Sequence, residues 1–401
     1  MNDASIYASR VAAVLNDLTI ELPSWGFADT GTRFGKFGQD SAAIDFTDKL
    51  SDASHVNQLT GCCPKLAVHV LWDFSANQQP AEVKRLAEQH GLRIGSINPN
   101  LFQDQQYKYG SLCHPDAKIR EHAVKHCIDS IKLGQAVDSR VVTLWLADGS
   151  NYPGQDNLRA RKGRLQECLQ ALHGHLSSEQ SFLLEYKPFE PAFYHTDIAD
   201  WGMSLALARA MGPQAKVLVD TGHHYQSQNI EQIVAWLLDE GMLGGFHFND
   251  RRYADDDLTL ASIDPYQIFR IFYEILSYAH DTGHTPAIEY MIDQSHNLKP
   301  KIDAMIQTVM TAQELVAKAA IVDFDLLADL QAKQDIVGCE RHLKQAFFTD
   351  VSGLITAWRE EQGISPDPLT AHRESGYPEA IEKERRQRRQ ELGIVTGGSY
   401  A

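Results

Sequence analysis

The chain has 401 residues, of which 43% are hydrophobic and 22% charged, and this composition excludes wholesale disorder. Lysine and arginine together number 37 against 53 aspartates and glutamates, which gives a formal net charge of −16. The acidic balance argues against nucleic acids and anionic membranes as general partners, because both are polyanions.

Eight short apolar runs recur along the chain, and each precedes polar or glycine-rich residues and then a helical pattern. The runs cover residues 20–27, 66–74, 93–102, 141–149, 181–189, 216–224, 245–253 and 285–293. Short buried strands that alternate with helices are typical of parallel βαβ units, and eight of them over about 270 residues predict an α/β fold, a (β/α)8 TIM barrel. A doubly wound open sheet is the alternative, but the glycines at 31–38 lack the spacing of its phosphate-binding turn.

The chain changes character after the eighth run. Residues 301 to 361 show a helical pattern without strand-like runs, and polar residues dominate from Pro366 onward. We therefore predict a barrel domain at 1–300 and a helical C-terminal extension at 301–401, which we expect to lie at a subunit interface. The charged run at 382–389 suggests a nucleic-acid contact, but a solvated helix or a mobile tail suits the acidic chain better.

Cysteine usage and hydropathy indicate the cellular compartment in which the protein works. The six cysteines form no Cys-x-x-Cys pair and no disulfide framework. Residues 1–15 include Asp3 and Arg10 and lack an unbroken apolar segment, so we expect no signal peptide. No stretch of about 18 apolar residues predicts a membrane span. These features favour a protein of the reduced cytoplasm.

Ionisable residues follow four consecutive predicted strands, at the ends where a (β/α)8 barrel carries its active site. Glu185 and Lys187 end the fifth run, and because they are two residues apart their side chains share one face of the strand. The remaining members follow the sixth, seventh and eighth strands: Asp220, His223, His247, Asp255, Asp257 and Asp293. Four neighbouring strands thus deliver carboxylates and imidazoles to one rim.

Each of these residues taken alone has an ordinary explanation, such as a helix cap, a salt bridge, a solvated acidic loop or a core histidine. Together, carboxylates that converge on one rim would repel each other, and a divalent cation relieves that repulsion. Carboxylates with one or two imidazoles suit Mn²⁺ or Mg²⁺, and Co²⁺ is also possible. Two ions fit the pattern better than one. We expect the first ion to be held by Glu185, Asp220, His247 and Asp293, and a second, more exposed ion by His223, Asp255 and Asp257, with Asp220 as the bridge.

Several motifs resemble the metal-binding pattern of the xylose-isomerase-like barrels: Glu185-x-Lys187-Pro188, Asp220-x-x-His223, Asp255-x-Asp257 and the terminal Asp293. His247 stands where xylose isomerases carry a carboxylate. That substitution, together with residues 185–191 and 255–259, is similar to the bacterial L-rhamnose isomerases of the broad-specificity type. The likeness runs from about Glu21 to the C-terminal helices.

The resemblance implies a homotetrameric, Mn²⁺-using aldose–ketose isomerase whose partner is a small aldose or ketose, such as L-rhamnose or L-rhamnulose. Two ions and the cationic Lys187, as a donor to O1, suit a 1,2-hydride shift, with Asp257 accepting hydrogen bonds from a metal-bound water.

A ketose 3-epimerase with one metal and proton transfer between two carboxylates is the alternative, but His223, Asp255 and Asp257 have no role in it. A multi-zinc endonuclease needs a basic groove, and a non-catalytic sugar-binding barrel is expected to have lost ligands.

The resemblance also implies substrate contacts on earlier strands. His69 is similar to the histidine that binds the ring-side oxygens of the sugar and assists ring opening, with a buried core histidine as the alternative. Trp25, Trp72 and Trp145 lie near strand ends and are candidates for apolar walls beside the sugar. Phe34 follows the first strand, where relatives place an aromatic residue that reaches a neighbouring subunit's active site, and an ordinary loop anchor is the alternative.

Overall fold

The computed structural model describes residues 3–29, 37–74, 79–190, 194–253 and 255–394. Eight parallel strands form a closed barrel in which each strand pairs with the next and the eighth pairs with the first. They are β1 (Ile20–Pro23), β2 (Lys65–His69), β3 (Arg93–Asn98), β4 (Val141–Leu144), β5 (Ser181–Glu185), β6 (Ala215–Asp220), β7 (Leu243–Phe248) and β8 (Glu289–Ile292). Each predicted run contains or overlaps one of these strands, so the predicted (β/α)8 TIM barrel is confirmed.

Several predicted runs extend past the strand that they contain. β1 is followed by a 3₁₀ turn at Ser24–Phe27, and β2 is followed by the short helix α3 (Val70–Asp73). Phe189–Glu190 and Tyr194–His195 form a small antiparallel ribbon after β5. The apolar character continues beyond the strands because residues such as Trp25 and Phe27 are buried after the chain has left the sheet.

The barrel interior is closed by apolar side chains below the mouth. Val141, Leu183, Leu218 and Met291 form a buried cluster of their own, separate from the main core between strands and helices. Leu183, Leu218 and Met291 each lie two residues before an acidic residue of the mouth, and residues two apart in a strand share a face. The ionisable residues therefore lie directly above a layer of buried apolar side chains.

Helices surround the barrel and continue beyond it. In chain order they are α1 (Asp3–Asp17), α2 (Phe46–Thr60), α3, α4 (Pro80–Gln89), α5 (Ala117–Ala136), α6 (Leu158–His173), α7 (Trp201–Met211), α8 (Ile230–Asp239), α9 (Pro265–Thr282), α10 (Lys301–Ala320), α11 (Phe324–Ala332), α12 (Ile336–Phe348), α13 (Ser352–Glu361), α14 (Pro368–Glu374) and α15 (Tyr377–Leu392). Asp or Asn residues cap many of these helices, for example Asp45 before α2 and Asn229 before α8, whose side chains accept from backbone N–H groups of the first turn. Within the described ranges no helix is both long and apolar enough to cross a bilayer.

The predicted helical extension is present, and its first helix packs as part of the barrel. α10 lies against α9, α1 and α2, so it completes the outer ring of helices. α13 contacts α1 and α10, whereas α14 contacts α10 and α2. The domain division at residue 300 stays a prediction, as does the contact of the extension with another subunit.

The charged run at 382–389 lies on α15, which docks one face on the barrel through its arginines and leaves the other face exposed. Both Nη atoms of Arg385 donate to the carboxylate of Asp52 at 2.8 Å. Arg388 pairs with Asp48 at 2.8 Å, and Arg389 pairs with Asp29 at 3.0 Å. We call Arg385, Arg388 and Arg389 the arginine clamp. The expected helix with a solvated face is present, but three of its arginines are docked, because α2 and the loop before it supply acidic partners that the sequence pattern of α15 does not reveal.

Candidate active site

The ends of β5 to β8 bring four ionisable side chains together at the mouth of the barrel. One ligand atom from each of Glu185, Asp220, His247 and Asp293 lies within 4.8 Å of the others. The Nδ1 atom of His247 is 3.2 Å from a carboxylate oxygen of Glu185, 3.6 Å from one of Asp293 and 3.9 Å from one of Asp220. The structure therefore brings together the four residues that the sequence assigns to a first ion.

Asp220 is oriented by donors on two elements. Its Oδ1 atom accepts from the backbone N–H groups of Gly222 at 2.7 Å and His223 at 3.1 Å, which follow in the bend after β6. The side-chain amide of Asn249 donates to both carboxylate oxygens of Asp220 and to the carbonyl of Asp293. Sequence reasoning missed Asn249, although its position two residues after His247 places it on the same face of the chain.

His223, Asp255 and Lys187 lie beside this cluster on the side of β5 and β6. The Nε2 atom of His223 is 3.1 Å from Asp255 Oδ1, and its Nδ1 atom is 3.2 Å from Glu185 Oε1. The Lys187 ammonium is 2.5 Å from the other oxygen of Asp255. Asp257 is half-buried on the same loop. Among the described residues this second set is not assembled as tightly as the first.

Asp255 and Asp257 both adopt left-handed backbone conformations, each with φ 49°. Such angles are uncommon for residues other than glycine and cluster at functional sites. Burial raises the pKa of Asp257 well above its usual value, and the nearby Asp255 and Asp293 carboxylates raise it further. The loop thus holds both acids in strained backbone conformations, and it also places Asp257 in an electrostatically unfavourable position.

The two histidines carry the charge that partly offsets the acids. Burial alone would lower the pKa of His247, but Glu185, Asp293 and Asp220 raise it to about 9. Burial opposes the charged form of His223 as well, yet Asp220 and Asp255 raise its pKa well above the usual value. Burial raises the pKa of Glu185, and this is more than offset by the two histidines, so the net direction is down.

The donor atoms of the first cluster fit a divalent cation. Among the described residues, neither ring nitrogen of His247 nor the Oε1 atom of Glu185 has a well-aligned hydrogen-bond partner, although all three atoms are buried. Buried polar atoms of native proteins normally have partners. With neutral imidazoles, the five carboxylates of the two sets and the Lys187 ammonium leave four negative charges, which two divalent cations neutralise. Oxygen and imidazole ligands suit Mn²⁺, Co²⁺ or Mg²⁺.

An aromatic wall borders the acids on the side of β1 to β4. The ring centroids of Trp25 and His69 are 4.7 Å apart, and those of His69 and Trp72 are 4.1 Å apart. Phe102 contacts His69, Trp72 and Trp145, and the last pair is separated by 5.2 Å. The structure thus collects the tryptophans and the histidine predicted to contact substrate. It adds Phe102, which lies at the end of the third apolar run, while Phe34 lies outside the described residues.

Two tryptophans of the aromatic wall contact charged residues of the candidate site directly. The indole N–H of Trp25 donates to Asp293 at 2.9 Å, so Trp25 orients a candidate ligand as well as forming a wall. The Lys187 ammonium lies 5.1 Å from the centre of the Trp145 ring. Aromatic rings attract cations at this distance. A small polar molecule in the mouth would therefore meet apolar faces on one side and charged groups on the other.

His69 is held as a neutral imidazole. Burial, the nearby His247 and the Lys49 ammonium lower its pKa to about 3. Asp73, which sequence reasoning also missed, accepts from the backbone N–H of His69 at 2.8 Å and from Lys49 Nζ at 2.6 Å. A neutral imidazole can both donate and accept a hydrogen bond. This suits a residue that exchanges protons with hydroxyl groups.

A second group of potential ligands, Cys113, Asp148 and Asp197, has a structural role. Asp148 accepts from Ser111 N at 2.6 Å, Ser111 Oγ at 2.9 Å and Cys113 N at 3.1 Å. Asp197 forms a two-pronged ion pair with Arg161, with the closest contact at 2.6 Å. The carboxylates of this group are already neutralised or saturated with donors, so no cation is needed.

A model of the xylose isomerase-like TIM barrel family matches residues 66–270. The chain is 36% identical to a probable sugar isomerase of Mesorhizobium japonicum over 401 residues, which covers 98% of this chain and 90% of that protein. This chain belongs to the xylose isomerase-like TIM barrel family. It is also 38% identical to a probable sugar isomerase of Rhizobium meliloti over 373 residues, 91% of this chain and 86% of that one.

A solved structure confirms the family fold. The D-allulose 3-epimerase of Methylomonas sp., solved in complex with D-allulose, superposes with a TM-score of 0.51 at 14% identity and covers 73% of this chain and 95% of its own. In this xylose isomerase-like barrel the candidate site occupies the C-terminal mouth, where enzymes of this fold carry their active sites. The fold, the family and the ionisable cluster therefore agree on one location.

Proposed function

We propose that this protein is an aldose–ketose isomerase that interconverts L-rhamnose and L-rhamnulose and accepts further aldoses. The observation that carries the proposal is the convergence of Glu185, Asp220, His247 and Asp293 beside Lys187. Two divalent ions per subunit, Mn²⁺ with Co²⁺ or Mg²⁺ as substitutes, suit this donor set. The sugar-isomerase relatives support the reaction class. A cytoplasmic homotetramer is part of the proposal.

The first ion would be held by Glu185, Asp220, His247 and Asp293, and the second by His223, Asp255 and Asp257, with Asp220 bridging both. When bound, these ions supply Lewis acids for the adjacent sugar oxygens O1 and O2. This is the arrangement that favours transfer of a hydrogen from C2 to C1 as hydride. The protein contributes the orientation of the sugar and the movement of protons on its oxygens.

The proposed role of His69 is proton exchange during ring opening. Its neutral imidazole lies between Trp25 and Trp72, where a sugar ring would meet the aromatic faces.

The protein must also hold O1 while the hydrogen moves. Lys187 is buried with its ammonium among Asp255 and Trp145, and it would donate to O1 and stabilise negative charge there.

Asp257 would take part in moving the hydroxyl proton between O2 and O1. Burial and neighbouring carboxylates raise the pKa of Asp257, and a bound cation would offset that shift, so the carboxylate would stay ionised and accept hydrogen bonds from the hydroxyl protons. Trp72 and Trp145, with Phe102, would exclude water from the reacting carbons. Phe34 is proposed as a further apolar contact.

The main competing function is a ketose 3-epimerase that uses one metal and two carboxylates as acid and base. Glu289 is the further carboxylate of β8 that such a scheme would recruit. It is the first residue of that strand and pairs with Lys65 at 2.6 Å, at the end of the barrel opposite the mouth. The second acidic set also has no role in a single-metal reaction. Both features favour the isomerase.

An assay on a panel of aldoses and ketoses tests the proposal. We expect interconversion of L-rhamnose and L-rhamnulose that EDTA abolishes and Mn²⁺ restores. In D₂O, NMR of the product should show little deuterium at C1, because a hydride shift does not exchange with solvent. Epimerisation at C3, activity that survives EDTA, or no reaction with any aldose would contradict the proposal. Extensive deuterium incorporation at C1 would contradict the hydride route alone.

A further inference from the structure

The loop between β7 and α9 carries Asp255 and Asp257 without the support of a helix or strand of its own. Asp255, Asp257 and Ala261 all have positive φ angles, of 49°, 49° and 61°. Such conformations are strained for residues other than glycine and persist only where the surroundings hold them in place. Some feature outside the two aspartates must therefore fix this loop.

Asp250, at the start of the loop, supplies much of that support. It is buried, and its Oδ2 atom accepts from the backbone N–H groups of Ile263 at 2.7 Å and Asp264 at 3.2 Å. Its Oδ1 atom accepts from Arg251 N at 2.8 Å. Its backbone pairs with Leu258 in both directions, at 2.8 and 3.0 Å. One residue thus ties the beginning, middle and end of the loop together.

Arg251 ties the same loop to the bend that follows β6. Its buried guanidinium donates from Nε to the carbonyl of His224 at 2.8 Å and from Nη2 to the carbonyl of Tyr225 at 3.2 Å. Its Nη1 atom donates to Gln267 on α9 at 3.2 Å. His223 precedes the first of these carbonyls directly. The distance between the two loops is therefore set by a rigid planar group with several donors.

We infer that Asp250 and Arg251 are positioning residues that set the spacing of His223, Asp255 and Asp257 for the second cation. This inference rests on the proposed two-ion function. Neither side chain is one of the candidate ligands, and each acts through backbone groups of the loops that carry those ligands. Outer residues that orient ligands typically change metal affinity by about 10–100-fold when they are replaced.

Titration of metal-free protein with MnCl₂, followed by calorimetry, tests the inference without any activity assay. We expect the wild type to bind two ions per chain. D250N retains the shape of the side chain, but one of its two oxygen acceptors becomes a donor that faces backbone N–H groups. D250N should bind the first ion with wild-type affinity and the second about 10–100-fold more weakly.

Asp148 provides a matched control, because it is also a buried aspartate that holds a loop through backbone N–H groups. D148N should lose comparable thermal stability but bind both ions as the wild type does. R251K retains the charge but cannot contact His224, Tyr225 and Gln267 together, so it should also weaken the second ion. This variant serves where D250N does not fold.

The outcomes separate the two proposals. If the wild type binds two ions, and folded D250N or R251K binds both with unchanged affinity, the positioning role is refuted while the proposed function stands. Equal weakening of the second ion in D148N would also refute it, because general loosening of the fold would then explain the effect. A wild type that binds fewer than two ions would overturn both this inference and the two-ion form of the proposed function.

Discussion

The arginine clamp permits a quantitative prediction about stability. Arg385 and Asp52 have side chains that are 3% and 1% exposed, and the pair is bidentate. Burial opposes the charge on Arg385, but Asp52 and Asp48 raise its pKa, so the guanidinium stays ionised. R385M leaves the Asp52 carboxylate buried with only the Tyr377 hydroxyl as a donor among its described contacts. Removing one partner of a buried ion pair costs about 3–5 kcal/mol.

That free energy converts into a modest shift of the melting temperature because the chain is long. An unfolding entropy of about 2.1 cal/mol/K per residue gives roughly 0.8 kcal/mol/K for the whole chain if it unfolds as one unit. R385M should therefore melt about 4–6 °C below the wild type in a calorimetric scan. Arg386 lies on the same helix and is half exposed, with partners Asp40 and Glu382, so R386A should cause no measurable shift.

The double variant D52N/R385M separates a lost ion pair from a generally damaged helix. The amide that replaces the Asp52 carboxylate can still accept from Tyr377, and no uncompensated charge remains. We expect the double variant to recover most of the stability lost in R385M. A melting temperature of R385M indistinguishable from that of the wild type, or a double variant as unstable as the sum of D52N and R385M, would refute this account of the clamp.

Three further predictions concern the site and the histidine pair between α2 and α14. In E185Q the first ion should be lost while the second set is intact, so saturating Mn²⁺ should raise the melting temperature less than in wild type, where each ion stabilises by about 2.7 kcal/mol at a hundredfold excess over its Kd. An equal rise in both proteins would contradict the ligand role of Glu185. W25F keeps an aromatic face but loses the donor to Asp293, so kcat/KM should fall about tenfold with little change in melting temperature. An unchanged kcat/KM would count against a role of Trp25 in orienting Asp293. Burial and the neighbouring His372, at 3.0 Å, lower the pKa of His55 to about 4, so the unfolded chain binds this proton more readily than the folded chain. The free energy of unfolding should therefore decline as the pH falls from 6.5 towards 4, and it should decline less in H55Q. Melting curves across that pH range would test this prediction.

The sequence by itself determined the fold and the composition of the candidate site. Alternation of buried strands with helical segments is a local property, and parallel strands joined by helices place their carboxyl ends on one rim. For that reason Glu185, Asp220, His247 and Asp293 could be assigned to one location before any coordinates were known. The family resemblance added Trp25, His69, Trp72 and Trp145 as residues near the mouth.

Only the tertiary structure decided which residues support that site. Arg385 and Asp52 are 333 positions apart, and Asn249 and Asp220 are 29 apart, so no sequence period connects them. Phe102, Asp73 and Asp250 look ordinary in the sequence because an aromatic or acidic residue near a strand end has many possible partners. The contacts of these three residues depend on the bends of loops, and the contact of Arg385 with Asp52 depends on the packing of α15 against α2. Those features arise from long-range packing, and the local pattern of the chain does not encode them.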